Sequence, residues 1–454
     1  MTRPNIIFYF SDQQRWDSLG CYGQPLDVTP NLDRLARQGV RFENAFTCQP
    51  VCGPARACLQ TGKYPTETGC YRNAIALPRD IVTLADCFNQ AGYETAYVGK
   101  WHLASNRSSY AAPVDDENFE TRAIPLERRG GYKDYWMAAD VLEATSHGYD
   151  GFVFDGEGNR KEFIGYRADA INNYAIHYLH KYKGEKPFFL FISQIEPHHQ
   201  NDRNRFEGPD GSKERFKDFV PAPDMVEGEG DWKENYPDYL GQCRSLDDNV
   251  GRLIDTLKEK KLWDKTIIFY ASDHGCHFRM RNGEYKRSCH EASIHIPLIA
   301  YGGPFKGGKT ITNLVSLMDL PVTLLDCGEI PRPEGFHGRS LKALAEGECD
   351  KWEDQVFIQI SESQVGRAIR TKRWKYSVRA KEDGWLCKDA EIYYEEFLYD
   401  LEEDPYEQNN LVEAKEYENI RAELAKKLIA SMEEAGEKSP EILPWPKDGG
   451  DFWI

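Results

Sequence analysis

Several things are missing from this sequence of 454 residues. No apolar run approaches the roughly 20 residues needed to cross a bilayer, so no membrane span is expected. The start, Met1-Thr2-Arg3-Pro4, leads straight into Ile6–Phe10 without an extended apolar region or a small-residue cleavage site. This predicts a cytoplasmic protein. There is no excess of positive charge: 57 Lys and Arg face 74 Asp and Glu, a formal net charge of -17, which argues against a nucleic-acid partner. Internal repeats and low-complexity tracts are absent, and the composition is that of a globular chain, with 40% hydrophobic and 13% aromatic residues. The twelve cysteines show no metal-finger spacing. Eleven read as small buried thiols; Cys52 stands apart, for reasons given below.

What is present alternates. Ile6–Phe10, Thr95–Val98, Phe188–Ile192, Ile267–Ala271 and Ile296–Ala300 are short, nearly continuous apolar runs, the pattern of parallel strands covered on both faces. Helical patterns separate them. Pro30 to Gly39 has Pro at the first helical position, a terminal Gly and Thr29 as its expected N-cap. Ile171, Tyr174, Ala175 and Tyr178 share one helical face, as do Leu246, Val250, Leu253, Ile254 and Leu257. The alternation predicts an α/β fold with a doubly wound, mostly parallel sheet flanked by helices. Ser105–Gly165 and Asn201–Trp232 are polar and poorly periodic, and read as insertions over the sheet, specificity loops or plain surface. From about Trp352 the pattern changes to short strands at Val356–Ile360, Arg367–Arg370, Lys375–Val378 and Phe397–Leu401, then a charged helix near Glu416–Glu434. Two domains are expected: a catalytic α/β unit over 1–350, and a small α+β unit with an antiparallel sheet over 351–454.

In doubly wound sheets, chemistry gathers at the carboxyl ends of strands. Ser11-Asp12-Gln13 follows the first run and Ser272-Asp273-His274 the fourth. Carboxylates and an imidazole so placed can converge on one divalent ion, which makes Asp12, Asp273 and His274 candidate ligands and Gln13 a fourth. A helix cap plus a core histidine is the plain alternative. Cys52-Gly53-Pro54-Ala55-Arg56 places a thiol before a Pro suited to the first turn of a helix, at the positive helix end. Arg56 offers a planar fork for an anion. A buried free cysteine before a helix is the alternative here.

Cys52-x-Pro54-x-Arg56, followed by Leu59-x-Thr61-Gly62, resembles the sulfatase family of the alkaline-phosphatase superfamily. Gly99-Lys100-Trp101-His102, Glu196-Pro197-His198-His199 and Tyr285-Lys286 follow in the family's order. Arg370–Tyr376 and Leu398–Pro405 resemble its small C-terminal domain. The resemblance implies that a maturation enzyme oxidises Cys52 to formylglycine, whose hydrate is a geminal diol. One hydroxyl attacks sulfur and the other later expels sulfate. It implies Lys100 and Arg56 beside the nucleophile, His102 as the acceptor of the diol proton, and His198 near the leaving oxygen. Lys286 is implied to bind sulfate, with Asn73 and His199 also facing substrate. It implies one divalent metal, Ca2+ first and Mn2+ second, because His274 replaces the commoner Asn and Gln13 a commoner acid. Ala55 replaces the commoner Ser of the modification motif. The expected reaction is hydrolysis of a sulfate monoester, with a sulfated mono- or oligosaccharide as substrate. Phosphonate monoester hydrolases share formylglycine and the Asp-Gln with Asp-His pattern, and are the alternative within the enzyme class. A non-catalytic binding protein with the same fold is the alternative outside it.

Overall fold

The computed structural model describes residues 3–107, 117–349 and 351–444. Part of the Ser105–Gly165 segment, at 108–116, and the last ten residues of the expected small domain lie outside these ranges.

An eleven-stranded sheet forms the centre. Its strands are β1 (Asn5–Ser11), β2 (Val40–Phe46), β3 (Glu94–Lys100), β4 (Tyr135–Ala139), β5 (Asp150–Asp155), β6 (Arg160–Ile164), β7 (Phe188–Ser193), β8 (Thr266–Ser272), β9 (His295–Ile296), β10 (Leu298–Tyr301) and β11 (Lys309–Ser316). The order is β11-β2-β10-β8-β1-β7-β3-β4-β5-β6, with β9 paired to β2. β1 lies between β7 and β8, parallel to both. Every residue of β1 is buried. Ile6, Phe8 and Phe10 enter the core on one face, and Ile7 and Tyr9 the core on the other. This two-residue alternation explains the unbroken apolar run: both faces of the strand are covered.

Helices Pro30–Gln38, Arg167–Lys181 and Trp232–Glu259 cover the second face with Leu32, Leu35, Ile171, Ala175, Leu246, Val250 and Leu253. Helix Cys52–Thr61 packs on the first face through Ala55, Cys58 and Leu59. A second sheet holds β12 (Gln355–Ile360), β13 (Gly366–Thr371), β14 (Trp374–Arg379), β15 (Ile392–Asp400) and β16 (Glu441–Leu443). Its first four strands are antiparallel, and β16 adds parallel to β15. Helix Glu418–Glu434 covers it with Leu424, Leu428 and Met432. A shared cluster joins the two sheets, with Phe46, Cys289, Ile294 and Leu314 against Val356, Ile358, Ile360 and Ala368.

Three expectations are corrected. Ile296–Ala300 is not one parallel strand: it divides at Pro297 into β9 and β10, and β10 runs antiparallel to β8 and β2. Proline has no N–H for the ladder, so the break falls there. The Thr29 side chain does not cap its helix. The buried Asp247 carboxylate does so instead, accepting from the Asn31 and Leu32 amides at 3.1 and 2.7 Å. Ser105–Gly165 is not all loop, because it supplies β4, β5 and β6 to the sheet. All twelve cysteines are free thiols, nine of them buried.

Candidate active site

The register of β1 on β8 pairs Ser11 with Ser272, so the next residues, Asp12 and Asp273, leave the sheet side by side. The Gln13 amide donates to Asp273 Oδ1 at 2.9 Å and ties the two strand ends together. Gln13 sits at φ 67 and turns its side-chain nitrogen toward Cys276 Sγ, 3.6 Å away. His274 Nδ1 faces the Gly275 carbonyl at 2.9 Å. A carbonyl only accepts, so Nδ1 carries the proton and Nε2 presents its lone pair to the site. Ligating atoms of Asp12, Cys52, Asp273 and His274 all lie within 4.8 Å of one another.

This donor set fits a divalent cation. Burial, and then the neighbouring Asp12 charge, push the Asp273 carboxyl up to about 7. Asp273 Oδ2 is buried with no hydrogen-bond partner. Two buried carboxylates and a lone-pair nitrogen converging on one point are what a bound cation would compensate. Burial opposes charge on Asp12 too, but the charges of Lys100, Arg56 and Lys286 hold it well below the usual carboxylate range. Lys100 Nζ and Arg56 Nη2 each sit 2.9 Å from Asp12 Oδ2.

Cys52 is the first residue of its helix, so the N-terminal amides and the positive dipole end surround it. Its Sγ lies 2.8 Å from Lys286 Nζ, 3.2 Å from His274 Nε2 and 3.4 Å from Asp12 Oδ1. Burial, followed by the Asp12 charge, pushes the thiol up to about 12 despite Lys286 and Lys100. Asn73 Oδ1 accepts from the Gly53 amide at 2.9 Å. A Cβ at Gly53 would come within 2.9 Å of that oxygen, so a side chain there would displace the Asn73 amide.

The two adjacent histidines separate. His198 Nδ1 donates to the His199 carbonyl at 2.5 Å, which leaves Nε2 to accept from Lys286 Nζ at 3.1 Å. Burial, then the Lys286 charge, hold His198 neutral, well below its ordinary value. His199 turns away and stacks on Tyr285 at 4.3 Å, with Nδ1 3.2 Å from Asn201 Oδ1. The loop carrying both is tied back by Arg167 Nε on Glu196 at 2.8 Å and by the Asp12 amide on the Glu196 carbonyl at 3.2 Å. His102 is lowered to about 3, by burial and then by Lys100. The residue is half-buried, and its buried Nδ1 has no hydrogen-bond partner.

Cys52, Gln13, Asn73, His102, His198 and Lys286 line one cavity of about 230 Å³. Sequence reasoning missed Glu143, which also lines it and pairs with Lys100 Nζ at 3.2 Å. No motif marks Glu143, which lies just past β4 in the short helix Leu142–Thr145. Arg107, Glu120, Glu284 and Arg287 complete much of the polar rim.

The sulfatase family model matches residues 4–330, and the model of the N-sulphoglucosamine sulphohydrolase C-terminal region matches 283–434. The chain belongs to the sulfatase family. An ulvan-active sulfatase of Formosa agariphila is 31% identical over 459 residues, covering 96% of this chain and 82% of that one. A structure solved with its substrate D-glucosamine-2-N,6-O-disulfate superposes with a TM-score of 0.76 at 25% identity, covering 97% and 99% of the two chains. The phosphonate monoester hydrolase of Agrobacterium radiobacter shares the fold, with a TM-score of 0.72 at 22% identity and coverage of 95% and 96%. This sulfatase is accordingly a sulfuric ester hydrolase. Among the described residues no helix is long and apolar enough to cross a membrane.

Proposed function

We propose that this sulfatase hydrolyses the sulfate monoester of a sugar, with formylglycine made from Cys52 as its nucleophile. The observation that carries the reading is Cys52 itself: a buried thiol at a helix N-terminus, 2.8 Å from Lys286 and facing a polar cavity. A thiol held protonated to about 12 is a poor nucleophile, so the cysteine as it stands is unsuited to attack. A separate maturation enzyme would supply the oxidation to the aldehyde. Cys52 Sγ then marks where the diol oxygens lie.

In this reading Asp12, Asp273 and His274 hold one divalent ion, with Gln13 the candidate fourth ligand. Calcium is the first choice by family and manganese the second, because of the imidazole. When bound, the ion would stabilise charge on oxygen and lower the pKa of the neighbouring diol. Lys286, and Lys100 from the other side, neutralise sulfate oxygens. Arg56 holds Asp12 and orients the nucleophile. One diol hydroxyl gives up its proton to solvent, its oxygen forms the bond to sulfur while the bond from sulfur to the sugar oxygen breaks, and the departing alkoxide takes a proton. His198 is assigned that proton. It is neutral beside Lys286, and the anionic substrate favours its protonated form. His102 Nδ1 or Nε2 then accepts the proton of the second hydroxyl. The aldehyde C=O re-forms, the carbon–sulfate bond breaks, and water restores the diol. Asn73 fixes the Gly53 amide, and His199 packs behind Tyr285.

A sugar leaving group suits the cavity, whose Arg107, Glu120, Asn73, Asn201 and Ser105 offer donors and acceptors for hydroxyls. Its volume of about 230 Å³ is small beside ligand pockets of roughly 300–1,000 Å³, which favours a terminal or single sugar unit. The chemistry is assigned to residues 1–350, with 351–454 as a supporting unit. A second reading, phosphonate or phosphate ester hydrolysis, is favoured by Asp12-Gln13 with Asp273-His274. A panel of aryl sulfate, sugar sulfates and a phosphonate monoester, assayed on matured enzyme, separates them. Preference for the phosphonate would overturn the sulfate reading.

A further inference from the structure

The second sheet reaches into the active site at one turn. Ser361 to Val365 links β12 to β13, and Glu362 within it is buried at φ 66. A left-handed conformation is unfavourable for a residue with a Cβ and persists where surrounding contacts hold it. Here they are numerous. The Glu362 amide donates to the Gly384 carbonyl at 3.1 Å. Ser361 Oγ accepts from Gln49 Nε2 at 2.5 Å, and Ser363 Oγ donates to the Arg287 carbonyl at 2.8 Å.

The Glu362 carboxylate has two destinations. Oε1 accepts from the Asn73 backbone amide at 2.7 Å, and Asn73 Oδ1 in turn holds the Gly53 amide. Oε2 pairs with Arg287 Nη2 at 2.5 Å. Arg287 directly follows Lys286, and its own amide donates to the Pro50 carbonyl at 3.2 Å. Pro50 and Gly53 bracket Cys52. One carboxylate therefore grips both sides of the nucleophile and the backbone that carries Lys286.

We infer that Glu362 is a positioning residue for the hydrolytic reaction: it acts through Asn73 and Arg287 to set Cys52 against Lys286, and makes the second sheet a working part of the active site. The inference rests on the proposed formylglycine chemistry. Its physical basis is that sub-ångström placement of a nucleophile against its electrostatic partner governs rate far more than binding.

The test compares Glu362→Ala, Glu362→Gln, Asn73→Ala and the Glu362→Ala/Asn73→Ala double variant. kcat is measured on an aryl sulfate at saturation and divided by the aldehyde content of the Cys52 peptide. The expectation is a fall of about 10- to 100-fold for Glu362→Ala, read well below that variant's own melting temperature. The double variant should lose more than Asn73→Ala alone, through the Arg287 branch, but less than the two single losses combined, since both act on the Gly53 amide. Glu362→Gln can still accept from the Asn73 amide but removes the shorter of the Arg287 ion pairs and leaves the one to Glu284, so a fall of about 3- to 10-fold is expected. Native-like kcat per aldehyde in Glu362→Ala, or fully additive losses in the double variant, would overturn the inference. Should Glu362→Ala fail to fold, Glu362→Gln decides: kcat per aldehyde equal to native overturns it. Native enzyme is the control that separates this from failure of the functional reading. Matured native protein with no turnover of any sulfate ester sinks that reading, whatever Glu362 does.

Discussion

Replacing Lys286 by Met keeps the length of the side chain and removes its charge. Lys286 Nζ lies 2.8 Å from Cys52 Sγ and 3.1 Å from His198 Nε2, with little exposure to water. In the working enzyme the sulfur position belongs to a diol oxygen, and the sulfate oxygens lie beside it. Two unit charges about 4 Å apart interact by about 4 kcal/mol at an effective dielectric of 20. A charge-assisted hydrogen bond is worth about 1.5–3 kcal/mol net. Loss of a single stabilising donor at such a centre costs about 100- to 1,000-fold in rate. These bracket a fall of about 10- to 1,000-fold in kcat/KM for Lys286→Met, roughly 1.5–4 kcal/mol. Sulfate is anionic from ground state to transition state, so part of the loss must enter KM. The assay is steady-state kinetics on a sulfate ester, normalised to aldehyde content and checked against the melting temperature. A change in kcat/KM of less than about fivefold, far short of what one donor contributes, refutes the reasoning. So does a loss confined to kcat with KM unchanged.

Three further outcomes follow from the same geometry. His198→Ala should cost about 100- to 10,000-fold on a sugar sulfate and much less on an activated aryl sulfate, whose phenolate needs little protonation; equal losses on both would remove the proton-donor role. Asp273→Asn should abolish stoichiometric divalent metal by elemental analysis and lower kcat; retention of both places the ion elsewhere. Asp247→Ala strips the cap from helix Pro30–Gln38 and leaves the Asn31 and Leu32 amides unpaired. It should cost about 2–4 kcal/mol in denaturant unfolding with kcat per folded molecule unchanged, and a loss under about 0.5 kcal/mol would contradict the capping assignment.

Much of the fold was legible because β1, β3, β7 and β8 are buried on both faces, and burial writes continuous apolar runs. The same signal misled at Ile296–Ala300. An apolar run reports burial but not strand direction, and Pro297 divides it. β6 was invisible because it lies at the sheet edge, with only Phe163 of its five residues buried. Asp12 and Asp273 could be paired in advance since both follow strands, and the in-register β1–β8 pairing does bring them together. Glu143, Asp247 and Glu362 were not legible. Each acts across a long sequence separation, on Lys100, Asn31 and Asn73, and nothing in the adjoining sequence marks such a partner. The choice between His198 and His199 also needed coordinates, since adjacency is silent about which ring meets Lys286.

Peptide mass spectrometry of active enzyme shows whether Cys52 is the source of the nucleophile. The peptide spanning Cys52 should carry an aldehyde in place of the thiol, and specific activity across preparations should rise in proportion to the aldehyde fraction. A fully active preparation in which Cys52 is entirely unmodified cysteine would contradict that origin.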